Sequence, residues 1–240
     1  MAPKTLWTDE YTLLCERCGY VVEGLATDGA CPECGKPIAE SLPERRMGTP
    51  WQQEPSFRNL LKTWWMTLRH PKRTLDVMRM HRESSSGLLG ASLLLFLALA
   101  WVSLLAVWAH FVSEVVSFIA VFFGTLVFAV FGVGIAAVLI ATERAGLRFL
   151  GRKHGLRITP DASSSICSHG SIGWAFVAAG LGFANAGAAQ PGLLWVAGLA
   201  VALIGFLFFE WFAWLGLRRC KYANRARTGS GASNPSTPHP

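Results

Sequence analysis

Four of the six cysteines stand as two matched pairs, Cys15-Glu-Arg-Cys18 and Cys31-Pro-Glu-Cys34, each followed by glycine. Two residues between cysteines let one tight turn aim both sulfurs at a point, and a glycine directly after can take the positive φ such a turn demands. Two such knuckles supply four thiolates for a tetrahedral metal, the closed arrangement of a structural rather than a catalytic site. Twelve residues separate the pairs, slightly fewer than the ~15–20 of common ribbons. The intervening hairpin must therefore be small, with Tyr20-Val21-Val22 as one strand and Thr27-Asp28-Gly29 as the turn. Zinc is the expected ion, with iron the alternative for four sulfurs. Two disulfides are the competing use of the cysteines, disfavoured in a reducing compartment.

Only two other groups invite chemistry. Glu210 and His169 lie in or near apolar runs, where an ionisable side chain is costly and so a functional candidate. They could form a proton or cation site. Alternatively the carboxylate reaches the interface or bonds Arg144 or Arg148. No nucleophile–base–orienter set, phosphate loop or helical zinc-protease motif is present. The expectation is a protein that is not an enzyme.

The elements that carry these groups are apolar. Of 240 residues, 52% are hydrophobic and only 15% charged, against roughly a quarter charged in a soluble domain. The apolar residues fall in blocks, at Leu88–Val112, Val115–Ala141, Ile166–Ala189 and Leu193–Leu217. Each exceeds the ~20 residues a helix needs to cross a bilayer. Ser113-Glu114 and Gln190-Pro191-Gly192 divide them into two helical hairpins. The predicted fold class is therefore membrane all-α, a four-helix transmembrane bundle with a small amino-terminal zinc-ribbon β module. In the third span Ala178, Gly182 and Ala186 form a small-residue stripe suited to close helix contact, within the chain or in a homo-oligomer.

Charge gives an orientation. All 22 Lys and Arg lie in the amino-terminal region, the middle loop or the tail, and neither hairpin turn holds one. The positive-inside rule then places both termini and the middle loop in the cytoplasm. The first forty residues contain no apolar signal-peptide core, consistent with a cytoplasmic cysteine module and a bacterial inner membrane. Residues 1–44 carry eight acids against three basic residues. So acidic a module would repel phosphates, which argues against nucleic acid and for an unidentified cytoplasmic protein partner.

The expected organisation is a zinc ribbon over 1–40, a linker over 41–55, a juxtamembrane segment over 56–87, the membrane domain over 88–217, and a basic then disordered tail over 218–240. In the juxtamembrane segment Ser56 is a helix cap. Phe57, Leu60, Leu61, Trp64, Trp65 and Leu68 follow at helical spacing, covering an arc of ~140°. With Arg58, Lys62 and Arg69 along one margin, the pattern predicts an interfacial amphipathic helix against anionic lipid of the bilayer. A helix packed on a protein surface is the alternative.

Two resemblances follow from these residues. The run from Cys15 to Gly35 resembles the short zinc ribbons at the front of many bacterial membrane proteins. Residues 57–217 resemble the bacterial branch of the Yip-type membrane protein family, in Trp64-Trp65, in His70-Pro71-Lys72-Arg73-Thr74-Leu75, and in the polar stretch Ser163–Trp174. Family members usually have five spans, against four here, and the eukaryotic ones interact with Rab-type GTPases. That likeness implies a multi-span scaffold and transfers no catalytic residue. The expected function is a non-enzymatic membrane scaffold or adaptor whose structural zinc ribbon mediates protein contacts. A small transporter or channel using Glu210 and His169 is the alternative.

Overall fold

The structure, a computed structural model, describes residues 11–109, 115–187 and 192–225. It is mostly helical. Two 3-10 turns, Ile38–Ser41 and Pro43–Arg45, lead into the short α1 (Pro50–Gln53), α2 (Phe57–Arg69) and α3 (Pro71–Val77). Then come α4 (Arg82–Ala109), α5 (Val115–Lys153), α6 (Pro160–Gly170), α7 (Ile172–Gly187) and α8 (Leu193–Arg219). Among the described residues, four stretches are long and apolar enough to cross a membrane: Arg82–Leu105, Val121–Lys153, Pro160–Asn185 and Leu193–Arg219. The Ser113-Glu114 turn, Gln190-Pro191 and the tail beyond Arg225 lie outside the described residues.

Side chains on these helices that do not pack inward are large and apolar. Phe128 is 71% exposed and Phe131 67%, and Leu203 and Ile204 of α8 are also more than half exposed. An apolar surface this continuous needs lipid as its solvent. The third span differs. Its mean hydropathy is 1.3, against 2.2 to 2.5 for the others, because α6 is rich in serine. From Asp161 to Gly170 every residue is buried, so α6 is enclosed by protein and does not need an apolar coat.

The helices reach further than the apolar runs. The third was expected to begin at Ile166 but starts six residues earlier. There the Thr159 hydroxyl accepts the Ala162 N–H at 3.1 Å, and Pro160 sits at the first helical position, where its missing N–H costs nothing. Hydropathy alone does not register that start. Likewise α5 continues past Ala141 to Lys153. At 1.5 Å per residue its 39 residues extend roughly 58 Å, about twice a hydrocarbon core. Its last turns must stand outside the membrane. The level is marked by charge: Glu143 interacts electrostatically with Glu210 across α5 and α8, and Arg82 and Cys167 flank Arg144.

Within the bilayer, α7 and α8 pack antiparallel on two glycine pairs. A Cβ built at Gly173 would meet the Gly205 carbonyl at 2.6 Å, and one at Gly205 would meet the Gly173 carbonyl at the same distance. Gly180 and Gly198 repeat the relation at 2.6 Å in both directions. Bare backbones in contact are how helices gain dispersion energy where lipid offers no hydrophobic drive. Of the predicted stripe, Ala178 is buried and Gly182 faces Ser103 of α4. The Ala186 side chain lies outside the described residues.

The segment 41–55, expected to be a linker, is an ordered strap. Arg46, 5% exposed, donates to the carbonyls of Leu75 (2.8 Å), Met78 (3.3 Å) and Asp76 (3.4 Å). It thereby neutralises the carbonyl end of α3, the favourable site for a cation. Gln52 accepts the Thr49 and Arg79 N–H groups and donates to Arg79 O, Ser84 and Ser85. A buried amide so fully bonded fixes the strap against the start of α4.

Candidate metal centre

Both knuckles have the same backbone. The Gly19 N–H donates to Cys15 O (2.8 Å) and the Cys15 N–H to Tyr20 O (2.8 Å). Sixteen residues later Gly35 N–H donates to Cys31 O (2.9 Å) and Cys31 N–H to Lys36 O (2.8 Å). Gly19 and Gly35 sit at φ +81° and +71°, the left-handed region glycine enters without strain. Leu14 bridges Val21 and Ala30 bridges Pro37, both antiparallel. Those isolated bridges replace the expected β module, for no strand occurs among the described residues. Each arm is spent on a turn around sulfur before a ladder can start.

The four sulfurs converge, all within 4.8 Å of one another. Cys15 Sγ lies 3.5 Å from Cys34 Sγ, and Cys18 Sγ 3.6 Å from Cys31 Sγ. A tetrahedral centre with ~2.3 Å metal–sulfur bonds has edges of ~3.8 Å, whereas a disulfide needs ~2.05 Å. All four are free thiols. The set fits a metal ion. Burial raises the Cys15 thiol, but backbone N–H groups at Cys18 and Arg17 outweigh it and draw it down to about 7. Burial and its sulfur neighbours push Cys18 up to about 12. Four thiolates so close need a cation between them to ionise together. Among the described residues the module's own core is Val22, Ile38 and the cysteines, with Leu13 against them, too little to fold without such a staple.

The centre is fixed to the end of the bundle. Asn224, 3% exposed, accepts the Leu14 N–H (3.0 Å) and donates to the carbonyls of Leu14 (2.7 Å) and Ser41 (2.6 Å). Arg157, from the α5–α6 loop, donates to Asn224 Oδ1 (2.6 Å) and to the Thr12 carbonyl. The Glu16 carboxylate, inside the first knuckle, pairs with Arg46 at 3.0 Å and accepts the Asn224 N–H. The Tyr222 ring lies where a Cβ on Gly19 would stand, 2.7 Å away, so Gly19 is required twice. None of these anchors has a sequence signature. Leu14 and Asn224 are 210 residues apart.

The other expected groups are placed differently. His169 is fully buried, with Nε2 3.2 Å from the Thr49 hydroxyl and Nδ1 2.8 Å from the Ser165 carbonyl. No hydrogen bond joins it to Glu210 among the described residues. Glu210 is half-buried with Glu143 as its electrostatic neighbour, and no ion pair to Arg144 or Arg148 occurs among the described residues. Cys220 is fully buried against the Leu75 carbonyl, and burial pushes its thiol up to about 12, so it is inert.

Of the six expected interface residues, Phe57, Leu61 and Trp65 are exposed. Trp64 and Leu68 are half-buried. Leu60 is turned inward at 8% exposure. The inner face of α2 is completed by Thr63 and Thr67, which the apolar pattern passed over. Thr63 Oγ1 accepts the Trp51 N–H (2.9 Å), and the Thr67 hydroxyl donates to the Thr63 carbonyl (2.8 Å). With their hydroxyls satisfied, two small residues pack inward as readily as apolar ones.

Comparison with family models, curated proteins and solved structures finds no match.

Proposed function

We propose that this chain is a non-enzymatic integral membrane scaffold or adaptor, whose four-cysteine module is a structural zinc ribbon that contacts a cytoplasmic protein. One observation carries the reading. The module is bonded to the bundle through Asn224, Arg157 and Arg46, so a partner held by the module is held rigidly to the membrane domain. A four-sulfur set leaves no open position for substrate, which supports a structural ion. The basic residues favour a bacterial inner membrane with both termini cytoplasmic, the compartment in which thiolates persist. The Yip-type layout of residues 57–217 supports the same reading.

The module's outward face carries Tyr20, Val21 and Leu25, each about two-fifths exposed, among the acidic side chains of the ribbon. None of the three side chains belongs to the module's core cluster of Val22, Ile38 and the cysteines. The test is affinity capture of the intact protein from native membranes, beside a Tyr20→Ser, Val21→Ser, Leu25→Ser variant. Proteins captured by the native chain and lost from the variant, with zinc content and membrane insertion unchanged, support the reading. Identical capture by both chains removes the ribbon as the contact surface.

A further inference from the structure

The two faces of α2 have separate tasks. At ~100° per residue, Leu60, Thr63 and Thr67 cluster around 270° from Phe57, and they are the buried residues of the helix. Phe57, Leu61 and Trp65 run from 0° to ~80° on the same wheel, and are 75%, 47% and 64% exposed. Arg58, Lys62 and Arg69 follow at ~100–140°, on the side away from the protein. None of the three basic residues is ion-paired among the described residues, and α2 contains no acid. Arg69 lies over the Trp65 ring, 5.9 Å from its centroid, so stripe and charge form one surface.

The placement of α2 supplies the occupant. Its inner face rests against α6, which is joined to α4 by the Ser85–Ser165 hydroxyl contact at 3.0 Å. Arg144, Glu143 and Glu210 act electrostatically on Cys167 of α6, so α6 carries α2 at the level where charge enters the spans. An exposed apolar stripe at that level, bordered by cations without ion pairs among the described residues, matches the acyl–headgroup boundary of an anionic leaflet. A soluble partner would have to bind in the headgroup layer itself.

We propose that α2 is an in-plane anionic-lipid site: Phe57, Leu61 and Trp65 enter the acyl boundary while Arg58, Lys62 and Arg69 collect phosphate headgroups from the adjacent leaflet. Opposed charge acts through headgroup phosphates carrying a net negative charge, so phosphatidylglycerol is selected over phosphatidylcholine. Loss of each basic residue costs on the order of fivefold in affinity for the anionic lipid.

The full-length protein in nanodiscs of equal phosphatidylglycerol and phosphatidylcholine tests this, with bromine on the acyl chains of one lipid or the other. The readout is the share of tryptophan emission that Trp65→Phe removes. That share should be quenched more strongly when phosphatidylglycerol is brominated, and Arg58→Gln, Lys62→Gln, Arg69→Gln together should make the two placements equal. If bromine on neither lipid quenches it, α2 lies outside the bilayer and the site is refuted. If both placements quench it equally with the native cations, the helix is interfacial without selecting anions, which also refutes the proposal. Trp65→Phe keeps an aromatic ring on an exposed position, and unchanged metal content confirms that each variant is folded.

Discussion

Replacing Asn224 with alanine should free the metal module from the bundle while leaving its ion in place. The side chain makes four hydrogen bonds inside the protein: from Leu14 N, to Leu14 O, to Ser41 O and from Arg157. At about 1 kcal/mol net for each, the truncation costs about 4 kcal/mol, and buried groups left unpaired add to that. Four kcal/mol is roughly a thousandfold in the docking equilibrium. The amide of Leu14, which donates to Asn224, reports it most locally. Hydrogen exchange of residues 13–16 in nanodisc-embedded protein should accelerate by up to that factor, while the core of the α7–α8 pair exchanges at its native rate. Asn224→Asp keeps the acceptor for Leu14 and Arg157 but loses both donors, and should fall between. Native exchange at Leu14 in the alanine variant would refute the docking, because no other side chain among the described residues is bonded to that amide.

The remaining predictions concern the ion, the strap and the helix pair. Chelation should unfold residues 11–40 and leave the transmembrane helices intact, read by circular dichroism with exchange mapping. Ion affinity should climb as pH rises toward about 9, the ordinary thiol value in the unfolded metal-free module, because binding displaces thiol protons. A flat competition titration across that window would contradict the thiolate assignment. Arg46→Met leaves the half-buried Glu16 carboxylate without its cation and strips three carbonyls at the end of α3. It should destabilise the junction by about 3–5 kcal/mol, measured as loss of exchange protection in both the module and α3. Gly198→Val pushes a branched side chain into the Gly180 carbonyl and should separate α7 from α8, with a cost of about 1–3 kcal/mol or more, read as a lowered unfolding midpoint in detergent.

Some of this was visible in the sequence for clear physical reasons. The spans and the metal set are local patterns, an apolar run and a two-residue spacing, and local patterns survive folding unchanged. The ends of α5 and α6 escaped because a helix shielded by protein or standing in water needs no apolar run. There the informative residues were Thr159 and Pro160, a cap rather than a hydropathy edge. The inner face of α2 departs from the apolar stripe, with Leu60 turned inward beside Thr63 and Thr67, because burial follows shape and bonded hydroxyls as well as hydrophobicity. The anchors were invisible in principle: nothing near Asn224 or Arg157 signals a partner on the far side of the chain. The segment 41–55 looked like a linker by composition, yet one buried arginine and one buried glutamine order it.

X-ray absorption at the metal edge, on the full-length protein purified in lipid nanodiscs, reads the ligand shell that Cys15, Cys18, Cys31 and Cys34 would form. The expected result is one ion per chain, surrounded by four sulfurs at ~2.3 Å and by no oxygen or nitrogen. A mixed coordination shell, or chains whose Cys15, Cys18, Cys31 and Cys34 are joined as disulfides, would contradict it.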